Sequence, residues 1–230
     1  MTFTLRYEAI DFEQHLVDAV ATFCRTVKPR DGSSHREIER TKTQLQCPIP
    51  SIVERYCVIL GHAHDLNQVY DHIHNPSELK LHHFMDQDYL VLCQTHQEIS
   101  SFGVKTEDAG QEDPPVFQIL DDGSMLAFER SSSFYSFEVL WQIINGLAPF
   151  RATSYPSKTT VKQLRKDSVA ITFSKNNTGD LNFYQQEQCL LLITTEGKKH
   201  VVAVAGKKKD TVHSFCERYA LEVSWFREPL

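Results

Sequence analysis

Hydrophobic and polar positions follow their clearest pattern between residues 89 and 145, and the rest of the chain is organised around this stretch. Residues 89–93 and 99–104 are apolar and rich in β-branched or aromatic side chains, which predicts two strands. The polar residues between them are too few for anything but a turn. We therefore expect a β-hairpin here, followed by more strands of the same sheet.

The next strand is marked by two consecutive prolines. Pro114 and Pro115 fix φ and lack backbone donors, so the chain enters a strand at Val116 in an extended conformation. A turn at 121–123 and an apolar run at 125–128 predict its hairpin partner. Serines then begin a helix whose core face follows helical spacing: Phe134, Phe137, Leu140, Trp141 and Ile144.

Three helices are predicted before this stretch. Asp11 caps the first, and a Ser34-to-Glu37 capping box begins the second near His35. The third begins at Pro50 and ends at Gly61. Residues 2–8 predict a short edge strand, whereas the polar, histidine-rich residues 61–85 predict only one short helix, before the Asn75-Pro76 step.

The C-terminal third predicts a meander of strands closed by a helix. Four strand-like runs are separated by turn residues, and a helix with an apolar face follows them: 169–173, 181–184, 189–193, 200–205 and 211–221. Residues 155–160 predict a connector between two halves of one sheet. We expect a single domain over residues 1–230 of the α+β class, with a mostly antiparallel, curved sheet that carries helices on one side.

The order of these elements resembles the SUKH superfamily. The resemblance covers residues 36–225 and depends most on the Asp113-Pro114-Pro115-Val116 motif, with Ile49-Pro50 and the Ser-started helix in support. The family's usual acidic-Asn-Gln turn reads Thr95-His96-Gln97 here, and its usual Trp before Gly103 is Phe102. The resemblance implies an α+β fold and a non-catalytic role, because the superfamily groups bacterial toxin-immunity proteins with fungal cell-wall-synthesis regulators and some large-virus proteins.

Composition limits the classes of partner. The formal net charge is −6, so the chain has no basic footprint for nucleic acid or an anionic membrane. It also has no apolar run of roughly 20 residues and no signal-peptide pattern at Met1, which predicts a cytoplasmic protein. The six cysteines lie mostly within apolar runs, and we expect them to be reduced core residues.

Two groups of residues suggest catalysis or metal binding. Most of the eleven histidines lie between residues 62 and 96, yet their His-x-His pairs lack the further ligand that a zinc site needs. Cys93 and His96 lie three residues apart, which places their side chains on opposite faces of a continuing strand. We therefore expect no cofactor, no metal and no catalytic residue, with a small enzyme using the histidine-rich segment as the alternative.

Acidic residues next to the two prolines suggest a protein-binding surface. We expect acidic side chains here to attract a basic partner, and the partner-binding residues are predicted to be Gln97, Glu107, Asp108, Glu112, Asp113, Asp121 and Asp122. The resemblance implies that this partner is a toxin domain, neutralised by occlusion, and a basic nuclease would suit the acidic charge. A regulatory interaction module of the same fold is the alternative.

Overall fold

The structure is a computed structural model that describes residues 12–171, 173 and 181–227, with side chains up to residue 224. Thr172 and residues 174–180 are therefore outside the description, as are the predicted edge strand at 2–8 and the Asp11 cap. Over the described part of the chain, no helix is long and apolar enough to cross a membrane.

The N-terminal part is helical, as predicted. It contains α1 (Phe12–Phe23), α2 (His35–Leu45), α3 (Ser51–Leu60) and the short α4 (His64–Asn67). Ser34 caps α2 by accepting a hydrogen bond from the Glu37 N–H at 3.3 Å. The Glu37 carboxylate bonds to the His62 ring at 2.9 Å instead of turning back to complete the capping box.

The first sheet forms around the predicted hairpin. Its strands are β1 (His72–Ile73), β2 (Lys80–Phe84), β3 (Gln87–Gln94), β4 (Ser101–Lys105), β5 (Val116–Leu120) and β6 (Gly123–Phe128). The order is β1-β3-β4-β5-β6, with β2 also paired to β3, and every pairing is antiparallel. The predictions from residue 89 to residue 128 are confirmed.

The predicted aromatic helix is α5 (Ser131–Gln142), which continues as a π-helical turn, Ile143–Leu147. Every residue from Ser131 to Leu140 is buried, so α5 is covered on all sides. Its apolar residues share one core with α1, α3, the inner face of the first sheet and part of a second sheet. The helix therefore lies at the centre of the molecule.

The second sheet contains the C-terminal strands in the order β12-β7-β11-β10-β9-β8. They are β7 (Phe150–Ser154), β8 (Val169–Ile171), β9 (Asn182–Gln186), β10 (Cys189–Glu196), β11 (Lys199–Gly206) and β12 (Val223–Arg227). Two helices, α6 (Lys158–Asp167) and α7 (Lys209–Arg218), cover its outer face with a separate apolar cluster. The α+β class with antiparallel pairing is confirmed.

The arrangement differs from the prediction in two respects. The strands form two sheets rather than halves of one, and the change of sheet occurs after α5 instead of at residues 155–160. Residues 155–157 are a connector, but α6 begins directly after them, capped by Ser157, which accepts a hydrogen bond from the Thr160 N–H at 3.2 Å. The apolar content of α6 is low, which is why its pattern did not predict a helix.

Candidate functional site

A cavity of about 340 Å³ opens between the first sheet and the second half of α5. Most of its wall is formed by the turn between β3 and β4, by residues of β4, β5 and β6, and by the second half of α5. The segment before β1 and Leu181, just before β9, complete it. The side chains that matter below are Tyr70, Asp71, His96, Gln97, Ile99, Met125, Phe137, Glu138 and Trp141.

Asp71 is a buried carboxylate in this wall, with 6% of its surface exposed. Its Oδ1 accepts a hydrogen bond from the backbone N–H of His96 at 2.8 Å. Burial raises the pKa of Asp71, while hydrogen bonds from the His96 backbone and from the Trp141 side chain, and the charge of the His96 ring, act in the opposite direction. Its hydrogen-bond donors are thus neutral groups, and Asp71 forms no ion pair within the described residues.

Gln142, at the end of α5, holds the Asp71 segment in place. Its side-chain oxygen accepts a hydrogen bond from the Tyr70 N–H at 2.7 Å, and its side-chain nitrogen donates to the Asp71 carbonyl at 2.7 Å. Gln142 is itself buried, so both bonds are shielded from water. The position of Asp71 is therefore set by the central helix rather than by its own loop.

Glu138 places a second carboxylate in the wall. It is 1% exposed and lies on the α5 face that also carries Trp141. Its charge contributes to the raised pKa of Cys93, although burial is the larger cause. The described lining residues thus include two carboxylates, Asp71 and Glu138, together with the ring of His96.

Aromatic rings form one side of the cavity. Tyr70 stacks on His96 with 5.1 Å between ring centroids and meets Trp141 edge-on at 5.6 Å and 90°. Phe137 stacks on Trp141 at 6.0 Å. The Tyr70 and Trp141 rings therefore form a corner next to Asp71, and both line the cavity.

Three exposed apolar side chains surround the opening: Tyr70, Ile99 and Met125. Ile99 is 65% exposed in the β3–β4 turn, and Met125 is 40% exposed on β6. Isolated apolar side chains are common on protein surfaces, but a group of them around one cavity is typical of a binding site. The opening is thus apolar, whereas the wall behind it contains polar and ionisable side chains.

The structure divides the predicted partner-binding residues between the two ends of the first sheet. Gln97 lines the cavity, and Asp121 and Asp122 form the β5–β6 turn at the same end, where Ile119 pairs with Ser101. Glu107, Asp108 and Glu112 follow the opposite end of β4. The single acidic surface that the sequence suggested is therefore two separate groups.

The acidic group far from the cavity is partly neutralised. Glu107 lies 3.7 Å from the Lys105 ammonium. The pKa of Arg55 is raised mainly by its hydrogen bond to Glu13, and the charges of Glu112 and Asp113 raise it further. Asp113 itself accepts hydrogen bonds from the N–H and the hydroxyl of Ser132, at 2.8 and 2.6 Å. Its carboxylate therefore holds the first turn of α5 and is not directed at a partner.

The histidines form separate pairs instead of one cluster. His62 and His64 lie 6.1 Å apart between ring centroids, and His62 bonds to Glu37. His72 and His74 lie 5.2 Å apart on the other side of α4, next to β3. No group of three or more His, Cys, Asp or Glu side chains is placed to hold a metal ion among the described residues.

The cysteines are free and buried, as expected. Burial is the largest cause of a raised pKa at each of them, and the pKa of Cys93 lies well above its ordinary value. Cys93 is inside the core, whereas His96 is exposed in the turn. The two do not form a nucleophile and base.

Sequence reasoning found Gln97 but missed the rest of the site. Glu138 offered a signal, because it is the one charged residue in a helix of serines, apolar and aromatic residues that ends in Gln142. The sequence around Asp71 contains no such signal, because only its tertiary contacts with Gln142 and His96 distinguish this residue from its polar neighbours. Comparison of the chain with protein-family models, curated proteins and solved structures found no match.

Proposed function

We propose that this protein acts by binding another protein, without catalysis, and that the partner docks over the cavity beside the β3–β4 turn. The observation that carries the proposal is the group of exposed apolar side chains, Tyr70, Ile99 and Met125, around a preformed cavity. Protein interfaces concentrate their binding energy where a side chain of one partner fills such a pocket and neighbouring contacts exclude water.

The geometry supports a binding module better than a thiol enzyme or a metal enzyme. A thiol nucleophile needs a lowered pKa and access to solvent, and burial has the opposite effect on all six cysteines. The alternative based on the histidine-rich segment has less support, because His62 and His72 belong to different pairs with different neighbours. His62 bonds to Glu37, and His72 lies next to Glu78.

The partner that fits best is a basic protein. The chain has a net charge of −6, and the β5–β6 turn at the cavity end of the first sheet carries the exposed carboxylates of Asp121 and Asp122. The resemblance of Asp113-Pro114-Pro115-Val116 and its neighbouring elements to the SUKH superfamily supports a toxin-immunity protein that neutralises a toxin domain by occlusion. A regulatory module of the same fold would use the same surface on a different partner.

The test compares two double variants of matched exposure on the first sheet. Ile99→Glu with Met125→Glu changes the cavity opening, where the exposed fractions are 65% and 40%. Met85→Glu with Leu81→Glu changes the β2–β3 hairpin, where they are 66% and 43%. Because all four side chains are exposed, each substitution should change the free energy of unfolding by only about 0.5 kcal/mol.

Each variant is co-expressed with the product of the gene next to the gene for this protein. Complex formation and survival of the host are then measured. We expect the cavity variant to lose the complex and the hairpin variant to retain it. If the neighbouring product is toxic, only the cavity variant should fail to protect the host. Equal binding by both variants, or loss by both, would contradict docking at the cavity.

A further inference from the structure

We propose that a pocket between the segment after α1 and the turn that joins α3 to α4 binds a phosphate group, with Lys28, Arg30 and His64 as its ligands. The pocket has a volume of about 450 Å³. Its described lining residues are Arg25, Lys28, Arg30, Asp31, His62, His64 and Asp65. None of these lines the cavity beside the β3–β4 turn, so the inference goes beyond the proposed function and does not depend on it.

The two carboxylates in the wall of this pocket are bound by one guanidinium. Arg25 donates to both oxygens of Asp65 and to one oxygen of Asp31, each at 2.6 Å. The hydrogen bond from Arg25 is also the largest cause of the lowered pKa of Asp65. A third carboxylate, that of Glu37, bonds to the His62 ring at 2.9 Å. An anion entering the pocket would therefore meet carboxylates that already have partners.

Lys28 and Arg30 are the remaining cations of the wall. Both are exposed, and neither side chain forms a hydrogen bond or an ion pair with another residue that the structure describes. Lys28 acts on Asp65 through its charge alone. Three cationic side chains and two carboxylates leave the wall with an excess of positive charge, in a chain whose net charge is −6. Lysine and arginine are the side chains that bind phosphate most strongly, so these two are suited to hold it.

Backbone contacts fix the two segments of the pocket to each other. The Asp31 carbonyl accepts a hydrogen bond from the His62 N–H at 2.8 Å, and the Asp31 carboxylate accepts one from the Lys28 N–H at 2.7 Å. A Cβ on Gly32 would lie 1.8 Å from the Val58 carbonyl oxygen, so glycine permits the close approach of this segment to α3. The fold therefore sets the distance between the two segments before a ligand binds.

His64 contributes a donor from the α3–α4 turn. Its ring is exposed, lies 6.1 Å from the ring of His62 and forms no hydrogen bond with another described residue. A neutral imidazole still carries one N–H, which can donate to a phosphate oxygen. A volume of about 450 Å³ falls within the range for ligand pockets. It leaves room for a free phosphate ion or for the phosphate of a larger ester.

The experiment titrates the protein with inorganic phosphate at pH 7.5 and follows the backbone amides of Lys28, Arg30 and His64 by NMR. We expect saturable shifts with a Kd of about 1–10 mM, since a few exposed charge-assisted hydrogen bonds supply only a few kcal/mol of binding free energy. Sodium chloride at matched ionic strength should produce no saturable shift at these amides.

A parallel titration with phenyl phosphate distinguishes the two sources of the phosphate group. Tighter binding of phenyl phosphate than of inorganic phosphate would identify a phosphorylated molecule as the ligand. Equal or weaker binding of phenyl phosphate would identify the free ion. Both outcomes support a phosphate site, because the same amides report them.

Variants assign the binding to the named side chains. Lys28→Gln with Arg30→Gln removes both cations and should weaken phosphate binding at least tenfold. Lys162→Gln with Lys166→Gln is the matched control, because it removes the same charge from two exposed positions on α6, and it should change the Kd less than about twofold. His64→Leu should weaken binding several-fold. Thermal unfolding of each variant confirms that it is folded.

Two results would overturn the inference. One is the absence of a saturable shift at the three amides with either phosphate probe. The other is that the variant of Lys28 and Arg30 binds phosphate no more weakly than the variant of Lys162 and Lys166. Neither result bears on the proposed function, because this pocket and the cavity have no described lining residue in common.

Discussion

His74 is a buried ring whose ionisation is linked to folding. Burial, and then the nearby His72, lower the pKa of His74 from 6.5 to about 4. Between these two values the unfolded chain binds the proton and the folded chain does not. Stability contributed by neutral His74 is therefore present above pH 6.5 and is lost as the pH falls toward 4.

We predict that His74→Phe reduces this acid destabilisation by on the order of 2–3 kcal/mol. Urea unfolding of wild type and variant at pH 7.5 and pH 4.5 measures the difference. The raised pKa of Asp71 makes stability change with pH in the opposite direction. Because Asp71 is present in both proteins, its effect cancels in the difference between wild type and variant. His82→Gln is the control, because His82 is exposed on β2. An unchanged pH dependence in His74→Phe would contradict the burial of a neutral ring.

Asp113 has a structural role at the start of α5. Its carboxylate accepts a hydrogen bond from the Ser132 N–H, which the helix leaves unpaired in its first turn, and a second from the Ser132 hydroxyl. These bonds place a negative charge near the positive end of the helix. We predict that Asp113→Ala lowers the free energy of unfolding by about 1–2 kcal/mol, measured by urea denaturation. Glu107→Ala should change it by about 0.5 kcal/mol or less. Equal effects would mean that Asp113 does not hold the helix.

At the scale of elements, the π-helical turn after α5 positions the cavity wall. A Cβ on Gly146 would lie 1.6 Å from the Cγ1 of Val69, so this glycine permits the segment that carries Tyr70 and Asp71 to pack against the helix. Alanine normally stabilises a helical position by about 1 kcal/mol relative to glycine. At this position it must displace Val69 and its neighbours instead.

We predict that Gly146→Ala destabilises the protein by about 1–3 kcal/mol. Gly110→Ala is the matched control, since nothing lies within 4 Å of a Cβ built there. Urea denaturation of both variants measures the free energy of unfolding. A stabilised Gly146→Ala variant would show that Val69 does not pack against this glycine as the structure describes.

The sequence predicted the helices and strands that have a clear local pattern of apolar, turn and capping residues. Short apolar runs, the two prolines and the Asp-Asp-Gly turn predicted the strands from residue 89 to residue 128. The strand β7 and the helix α6 have weak local patterns, and their burial depends on the second sheet and its outer helices. Long-range packing of this kind leaves no short-range signal in the chain.

At the scale of the whole molecule, the acidic charge near the cavity should govern encounter with a basic partner. Asp121 and Asp122 are exposed, and neither forms an ion pair among the residues that the structure describes. The opposite group has Lys105 and Arg55 beside it, which reduces the field there. The steering surface is therefore expected at the β5–β6 turn.

We predict that Asp121→Asn with Asp122→Asn slows association several-fold at low salt and reduces its salt dependence, while dissociation changes little. Glu107→Gln with Glu112→Gln should have a smaller effect on the association rate. Stopped-flow or surface-based kinetics at 20 and 200 mM salt distinguish them. A larger effect from the second pair would move the steering surface to the other end of the sheet.

Site-specific photocrosslinking tests most directly whether a partner protein covers the cavity opening. Benzoylphenylalanine is placed at Ile99 or at Met85, which are 65% and 66% exposed in successive turns of the first sheet. After irradiation of the complex, we predict that the partner is crosslinked through position 99 and not through position 85. Crosslinking through position 85 alone would contradict the account, because the partner would then occupy the β2–β3 hairpin and leave the cavity open.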